Sequence, residues 1–191
     1  MHMAPLVIVS GPSGSGKSTI IRRLLQEMPS LRLSVSVTTR QPRINEEPGV
    51  HYHFWSVPEF LKARDAGRFL EWAEVHGNYY GTLENEVTQF RPLGIGVLLD
   101  IDVQGAAQVK KRCPDAVSIF IRTSKFETLE ERLRARHTEP EDVIQRRINN
   151  ARAELARADE YNYQVINDDL ETALAEMRTI LGSLFQRSQD A

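Results

Sequence analysis

Gly11-Pro12-Ser13-Gly14-Ser15-Gly16-Lys17-Ser18 satisfies the pattern G-x-x-x-x-G-K-[ST]. It follows a short β-branched run, Leu6 to Ser10, and precedes Lys17 to Glu27, where Ile20, Ile21, Leu24 and Leu25 recur at helical spacing. The reading is strand, glycine loop, helix. Glycines let successive backbone N–H groups point inward around a β-phosphate, and the helix N-terminus adds its partial positive charge. Lys17 then bridges β- and γ-phosphates, and Ser18 is the expected magnesium ligand.

Working outward, βα alternation recurs beyond this loop. Ile95 to Asp100 is a nearly continuous apolar run, as a strand buried on both faces would be, and Ala116 to Ile121 repeats it after a helix around Val103 to Arg112. A capping box of Ser124 with Glu127 predicts a helix running to about Arg136. A second helix spans about Glu141 to Arg157, followed by a strand at Tyr163 to Ile166 and a helix near Glu171 to Phe185. Strands alternating with helices imply an α/β fold with a parallel sheet covered on both faces.

The middle is more mixed and reads as an insertion. It holds an alternating stretch from Ser34 to Thr38, another at Tyr52 to Trp55, and a helix opened by the capping box Ser56 and Glu59. Phe69 to Val75, a turn at Gly77-Asn78 and a polar helix from about Leu83 to Phe90 complete it. One domain is expected: core at about 1–36, 95–125 and 160–191, the insertion at about 37–94, and a helical segment at about 126–159.

The 191 residues carry 41% hydrophobic and 26% charged side chains, which is ordinary globular usage. A net charge of −2 supplies no global basic field for a polyanion, so nucleic acid is not an expected partner. No apolar run reaches the roughly 18 residues of a membrane span, and no signal-peptide pattern opens the chain, so a cytoplasmic protein without a membrane partner is expected. Cys113, the single cysteine, reads as structural.

A donor nucleotide needs an acceptor. Thr38-Thr39-Arg40-Gln41-Pro42-Arg43 sets two arginines three residues apart, and guanidinium forks bind phosphate oxygens bidentately. Tyr52 and Tyr80 are neutral donors that fit beside them. Asp100 ends an apolar strand, where P-loop enzymes place a carboxylate near magnesium; Asp102 follows, and an N-cap role for it remains open beside a ligand-binding one. His51-Tyr52-His53 has the form of a metal-binding pair but lacks further His or Cys support, so no metal is assigned to it.

Taken together, these stretches resemble the guanylate kinase family over nearly the whole chain. Besides the phosphate loop, the matching segments are Ser34 to Arg43, Phe69 to Ala73, Gly77 to Thr82, Leu99 to Gly105 and Val165 to Asp169. The resemblance implies ATP on Gly11 to Thr19 and Asn167, with the GMP phosphate held by Arg40, Arg43, Tyr52 and Tyr80. It implies guanine reading by Ser36, Glu71, Thr82 and Asp102, a magnesium ion at Ser18 and Asp100, and a lid bearing Arg132, Arg136 and Arg147. Lys17 and the arginines would stabilise charge on the transferring group. Two departures stand out: Asn45 where glycine is usual, which asparagine's tolerance of left-handed geometry accommodates, and His137 after Arg136. Two other readings remain: a non-enzymatic interaction module, which the intact Gly16-Lys17-Ser18 disfavours, and a kinase for another small phosphate, which Glu71 and Thr82 disfavour. Oligomeric state has no signature in the sequence.

Overall fold

A computed structural model of the chain describes residues 3–75, 77–135 and 140–190. In chain order the elements are β1 (Leu6–Ser10), α1 (Lys17–Glu27), β2 (Leu31–Leu33), β3 (Val37–Thr38), β4 (His53–Phe54), α2 (Val57–Asp65), β5 (Phe69–Val75) and β6 (Asn78–Leu83). They continue with α3 (Asn85–Thr88), β7 (Gly96–Asp100), α4 (Val103–Arg112), β8 (Val117–Arg122), α5 (Phe126–Arg134), α6 (Glu141–Leu155), β9 (Tyr163–Ile166) and α7 (Leu170–Asp190).

Five strands form a parallel sheet in the order β2-β7-β1-β8-β9. β1 is buried throughout because it lies in the middle with helices on both faces, which is why its sequence is continuously apolar rather than alternating. Ile20, Leu24, Met177 and Leu181 from α1 and α7 pack on one face, and Ala106 and Val109 from α4 on the other. Val9 is in register with Asp100, so the end of β7 lies beside the start of the phosphate loop. Ligands of open α/β sheets gather at such carboxyl ends.

A second, four-stranded sheet runs β4-β3-β6-β5. Phe60 of α2 fills its underside, its ring stacked 4.3 Å from Phe69 and 5.3 Å from Tyr79; burying such a ring contributes about 1.5–3 kcal/mol. The Ser56–Glu59 capping box forms as expected, with Glu59 Oε2 accepting from Ser56 N at 2.8 Å. This sheet docks on α4 through Leu70, which packs with Ala106 and Val109, and through the Gln108 side chain, which accepts from Trp72 N at 3.2 Å and donates to Trp72 O at 2.8 Å.

Three local expectations differ from the structure, and one strand was not foreseen. The stretch Ser34 to Thr38 is not one strand: Ser34 N still donates to Leu98 O at 2.9 Å, continuing β2, and only Val37–Thr38 joins the second sheet. β2 itself, three residues long, is too short to give a periodic signal. The expected polar helix from Leu83 shrinks to Asn85–Thr88: Leu83 is instead the last residue of a strand, Asn78–Leu83, that pairs antiparallel with Phe69–Val75 across a turn where Gly77 has φ 75°, and a 3-10 turn at Arg91–Leu93 follows the short helix. The Ser124–Glu127 capping box does not form; Ser124 N donates instead to Asp168 Oδ1 at 2.9 Å, and α5 begins one residue later with no side-chain cap.

Candidate functional site

Gly11, Pro12, Ser13, Gly14, Gly16, Lys17, Ser18 and Thr19 line one cavity at the carboxyl end of β1. Ser15 is fully buried beneath it, and its carbonyl accepts from Asn167 Nδ2 at 2.7 Å. Asn167 therefore lies behind the loop and fixes its shape from β9's end. Gly16 must be glycine here: φ is 85°, and a Cβ would fall 2.2 Å from Asn167 Nδ2. Lys17 donates to Asp100 at the end of β7.

A second cavity adjoins this one across Asp100. Its walls include Ser36, Tyr52, Glu71, Tyr80, Asp100 and Asp102. Glu71 is only 6% exposed, and its Oε1 accepts from Thr82 Oγ1 at 2.7 Å. Burial pushes its carboxyl up to about 7, the Thr82 bond opposes that rise, and the charge of Asp102 adds to it. Asp102 caps α4, accepting from Gln104 N at 3.0 Å and Gly105 N at 2.8 Å, so its N-cap reading holds, and it also lines the cavity. Gly105 is the space in which Glu71 sits, since a Cβ there would lie 2.7 Å from Glu71 Oε2.

Thr82 does not line this cavity. Its side chain is fully buried and its hydroxyl proton points at Glu71, so of the two hydroxyls singled out only Ser36 faces the opening.

The arginine loop stands at the outer edge. Arg40 Cζ is 5.6 Å from the Tyr52 ring centre, and the Tyr52 and Tyr80 rings are 6.2 Å apart. Burial pushes the Tyr52 phenol up, helped by the charge of Asp100. Arg40 pairs with Glu46 through two 2.9 Å bonds, and Arg43 N donates to Glu46 at 2.7 Å. These bonds hold the Glu46 carboxyl down at about 2. Asn45 takes φ 73°, the left-handed geometry expected of it. His51 Nδ1 accepts from Glu47 N at 3.0 Å and shapes this loop.

A protein-family model described as guanylate kinase matches residues 3–184. The chain belongs to the guanylate kinase family. Guanylate kinases of Aromatoleum aromaticum and Carboxydothermus hydrogenoformans are 48% and 46% identical, over 92% and 95% of this chain and 86% and 89% of theirs. The crystal structure of guanylate kinase from Anaplasma phagocytophilum superposes with a TM-score of 0.77 at 31% identity, covering 96% of this chain and 87% of that one.

In this guanylate kinase family member, α5 and α6 pack on each other through Leu129, Leu133, Ile144 and Ile148. Arg147 of α6 places Nη1 3.4 Å from Ser13 Oγ of the phosphate loop. Arg132 faces Asp168, whose carboxyl is held low first by its bonds from Ser124 and further by the Arg132 charge. Arg136 and His137 lie outside the described residues.

Glu46, Gly105 and Glu154 were not singled out by sequence reasoning. Glu154 of α6 is half-buried near Asp102 and Lys17, and burial together with the Asp102 charge pushes its carboxyl up to about 7. A lone acid in a polar helix or loop gives no sequence signal; the glycine two residues after Asp102's helix start is visible only once Glu71 is known to abut it.

Proposed function

We propose that this chain transfers the γ-phosphoryl group of ATP to GMP, giving ADP and GDP, with Mg2+ as cofactor. One observation carries this reading: a buried carboxylate, Glu71, forms the wall of a cavity that shares Asp100 with the phosphate loop's lysine. Guanine presents N1–H and N2–H side by side, and a carboxylate accepts from both. Ser36 serves O6 and Asp102 adds an acceptor, while Thr82 acts through Glu71. Arg40, Arg43, Tyr52 and Tyr80 hold the GMP phosphate.

The loop from Gly11 to Thr19 cradles the ATP phosphates, Lys17 neutralises charge on the transferring group, and Asn167 supports the cradle from behind. Arg132, Arg136 and Arg147 belong to a lid at about 126–159, which closes over the phosphates and excludes water. The GMP-binding part is the insertion at about 37–94, on a core formed by the rest. The acceptor phosphate is already anionic near neutral pH, so no general base is needed; positioning and charge neutralisation supply the catalysis.

The residues present fit magnesium. Ser18 and Asp100 are hard oxygen donors that line a common cavity wall, as an ion taking most of its shell from phosphate and water requires. When bound, the ion screens the β- and γ-phosphate charges. Among the described residues no helix is long and apolar enough to cross a membrane, and we place the enzyme in cytoplasmic purine nucleotide metabolism.

A coupled ADP-release assay across GMP, dGMP, AMP, CMP and UMP tests this. GMP is expected to give the highest kcat/KM. GMP binding without ADP release would return the interaction-module reading, and preference for another monophosphate would overturn the acceptor.

A further inference from the structure

Arg40 has five N–H donors in a rigid plane. Its Nη1 and Nη2 each donate to one Glu46 oxygen at 2.9 Å, and Nη1 also donates to Gln41 O at 2.7 Å. Glu46 and Gln41 together take both Nη1 protons and one of the Nη2 pair. The donors they leave are Nε–H and the second Nη2–H, which are parallel and share one edge of the guanidinium, and the Tyr80 phenol, itself placed at the acceptor phosphate above, is the further hydrogen-bond partner of this side chain. That edge is itself a fork of the spacing that two phosphate oxygens accept. Both side chains of the Arg40–Glu46 pair are only 16% exposed, so the guanidinium is seated rather than waving on its stem. Glu46 also accepts from Arg43 N at 2.7 Å, joining both arginine positions through one carboxylate.

We propose that Glu46 is a positioning residue for the acceptor phosphate: it locks Arg40 so that the Nε–Nη2 edge is the one presented to the phosphate of the incoming nucleoside monophosphate. This rests on the acceptor site proposed above. Glu46 touches the opposite edge from the phosphate, so the ligand does not have to displace it. Its negative charge is matched by Arg40 itself, which leaves Arg43 and the tyrosine phenols as the net attraction. Without the carboxylate, the Arg40 stem regains its rotamers and the fork has to be ordered at each binding event. A carboxamide does not substitute, because its NH₂ faces one of the Arg40 donors.

The test is Glu46→Gln, alone and in an Arg40→Ala background, with KM for GMP, KM for ATP, kcat and calorimetric GMP binding measured without ATP. Glu46→Gln is expected to raise KM and Kd for GMP at least about tenfold, with KM for ATP and kcat at saturating GMP within about twofold of wild type. In the Arg40→Ala background the same substitution is expected to change GMP binding by less than about twofold, because the residue it acts through is gone. A residue that merely shapes the loop would cost the same in both backgrounds. Unchanged or tighter GMP binding in Glu46→Gln, or an equal loss with and without Arg40, overturns the proposal. A wild-type protein that neither binds nor uses GMP removes the acceptor site and this proposal with it, whereas normal wild-type use with an insensitive Glu46→Gln removes this proposal alone.

Discussion

Thr82 Oγ1 donates to Glu71 Oε1 at 2.7 Å, between two side chains that are respectively fully buried and 6% exposed. The bond crosses from β6 to β5, so the carboxylate is aimed by the sheet pairing and not by its own rotamer preference. Its second oxygen rests against Gly105 at the first turn of α4. A buried carboxylate so held is unfavourable in the free protein, and in the proposed acceptor site it would gain two donors from guanine.

Glu71→Gln is therefore expected to lower the GMP:AMP ratio of kcat/KM by at least about tenfold, because a carboxamide meets one guanine donor with its own NH₂. Adenine, with one donor and one acceptor on that edge, gains a possible match. Steady-state kinetics with both substrates check this, and an unchanged ratio in a folded variant would move base reading to Asp102 and Ser36.

The carboxyl of Glu71 is pushed up to about 7, and the proposed guanine contact needs it ionised. KM for GMP should rise as pH falls below about 7, while Glu71→Gln should retain only the shallower titration of the substrate phosphate near about pH 6. Thr82→Val removes the bond that favours the charged form and should move the break in the KM profile to higher pH. A break that stays in place would show that Thr82 does not tune Glu71.

Stability carries the opposite sign. The folded value of Glu71, about 7, lies above its ordinary 4.5, so the folded state binds the proton more tightly than the unfolded state does. The contribution is fully present below about pH 4.5 and is lost as pH rises through about 7. Glu71→Gln should thus be more stable than wild type at pH 8, by on the order of 1–3 kcal/mol, and lose that advantage toward pH 5. Glu154, shifted in the same direction, gives both proteins a residual slope. Urea unfolding at several pH values reads the difference, and parallel profiles would count against the buried charge.

Lys17→Ala is expected to reduce kcat by about 10²–10³-fold or more while leaving GMP binding nearly unchanged, since the lysine lines the phosphate-loop cavity proposed for the donor and not the cavity walled by Glu71. Rapid turnover by this variant would sink the donor-site assignment.

Gln108 holds Trp72 at both its N–H and its carbonyl, and is the tie between α4 and β5 that lies next to Glu71. Gln108→Leu should raise KM for GMP several-fold without changing KM for ATP, because Glu71 is carried on that strand next to Trp72. Equal effects on both substrates would point to general destabilisation.

The sequence alone determined the phosphate loop and the elements around it. A loop of eight consecutive residues between an apolar strand and an amphipathic helix is a local object, and local sequence specifies it; so too the Ser56–Glu59 cap and the left-handed Asn45. The parallel central sheet was legible because burial on both faces forces continuous apolar runs. What only the tertiary structure decided depends on pairing across the chain. β6 carried no strand reading beyond the turn at Gly77-Asn78 until its partner β5 supplied a sheet edge, and the Ser124 cap was lost to Asp168, 44 residues away. Glu71 in isolation is an acid in an alternating strand; its burial, its raised proton affinity and its bond to Thr82 exist because α4 closes over it at Gly105. Glu46 gives no signal by spacing, and its orientation of Arg40 comes from a loop that turns back on itself at Asn45. Residues next to each other in sequence set backbone conformation through sterics and local hydrogen bonds; the charge states and exposed edges that chemistry uses are set by which distant groups exclude water from them.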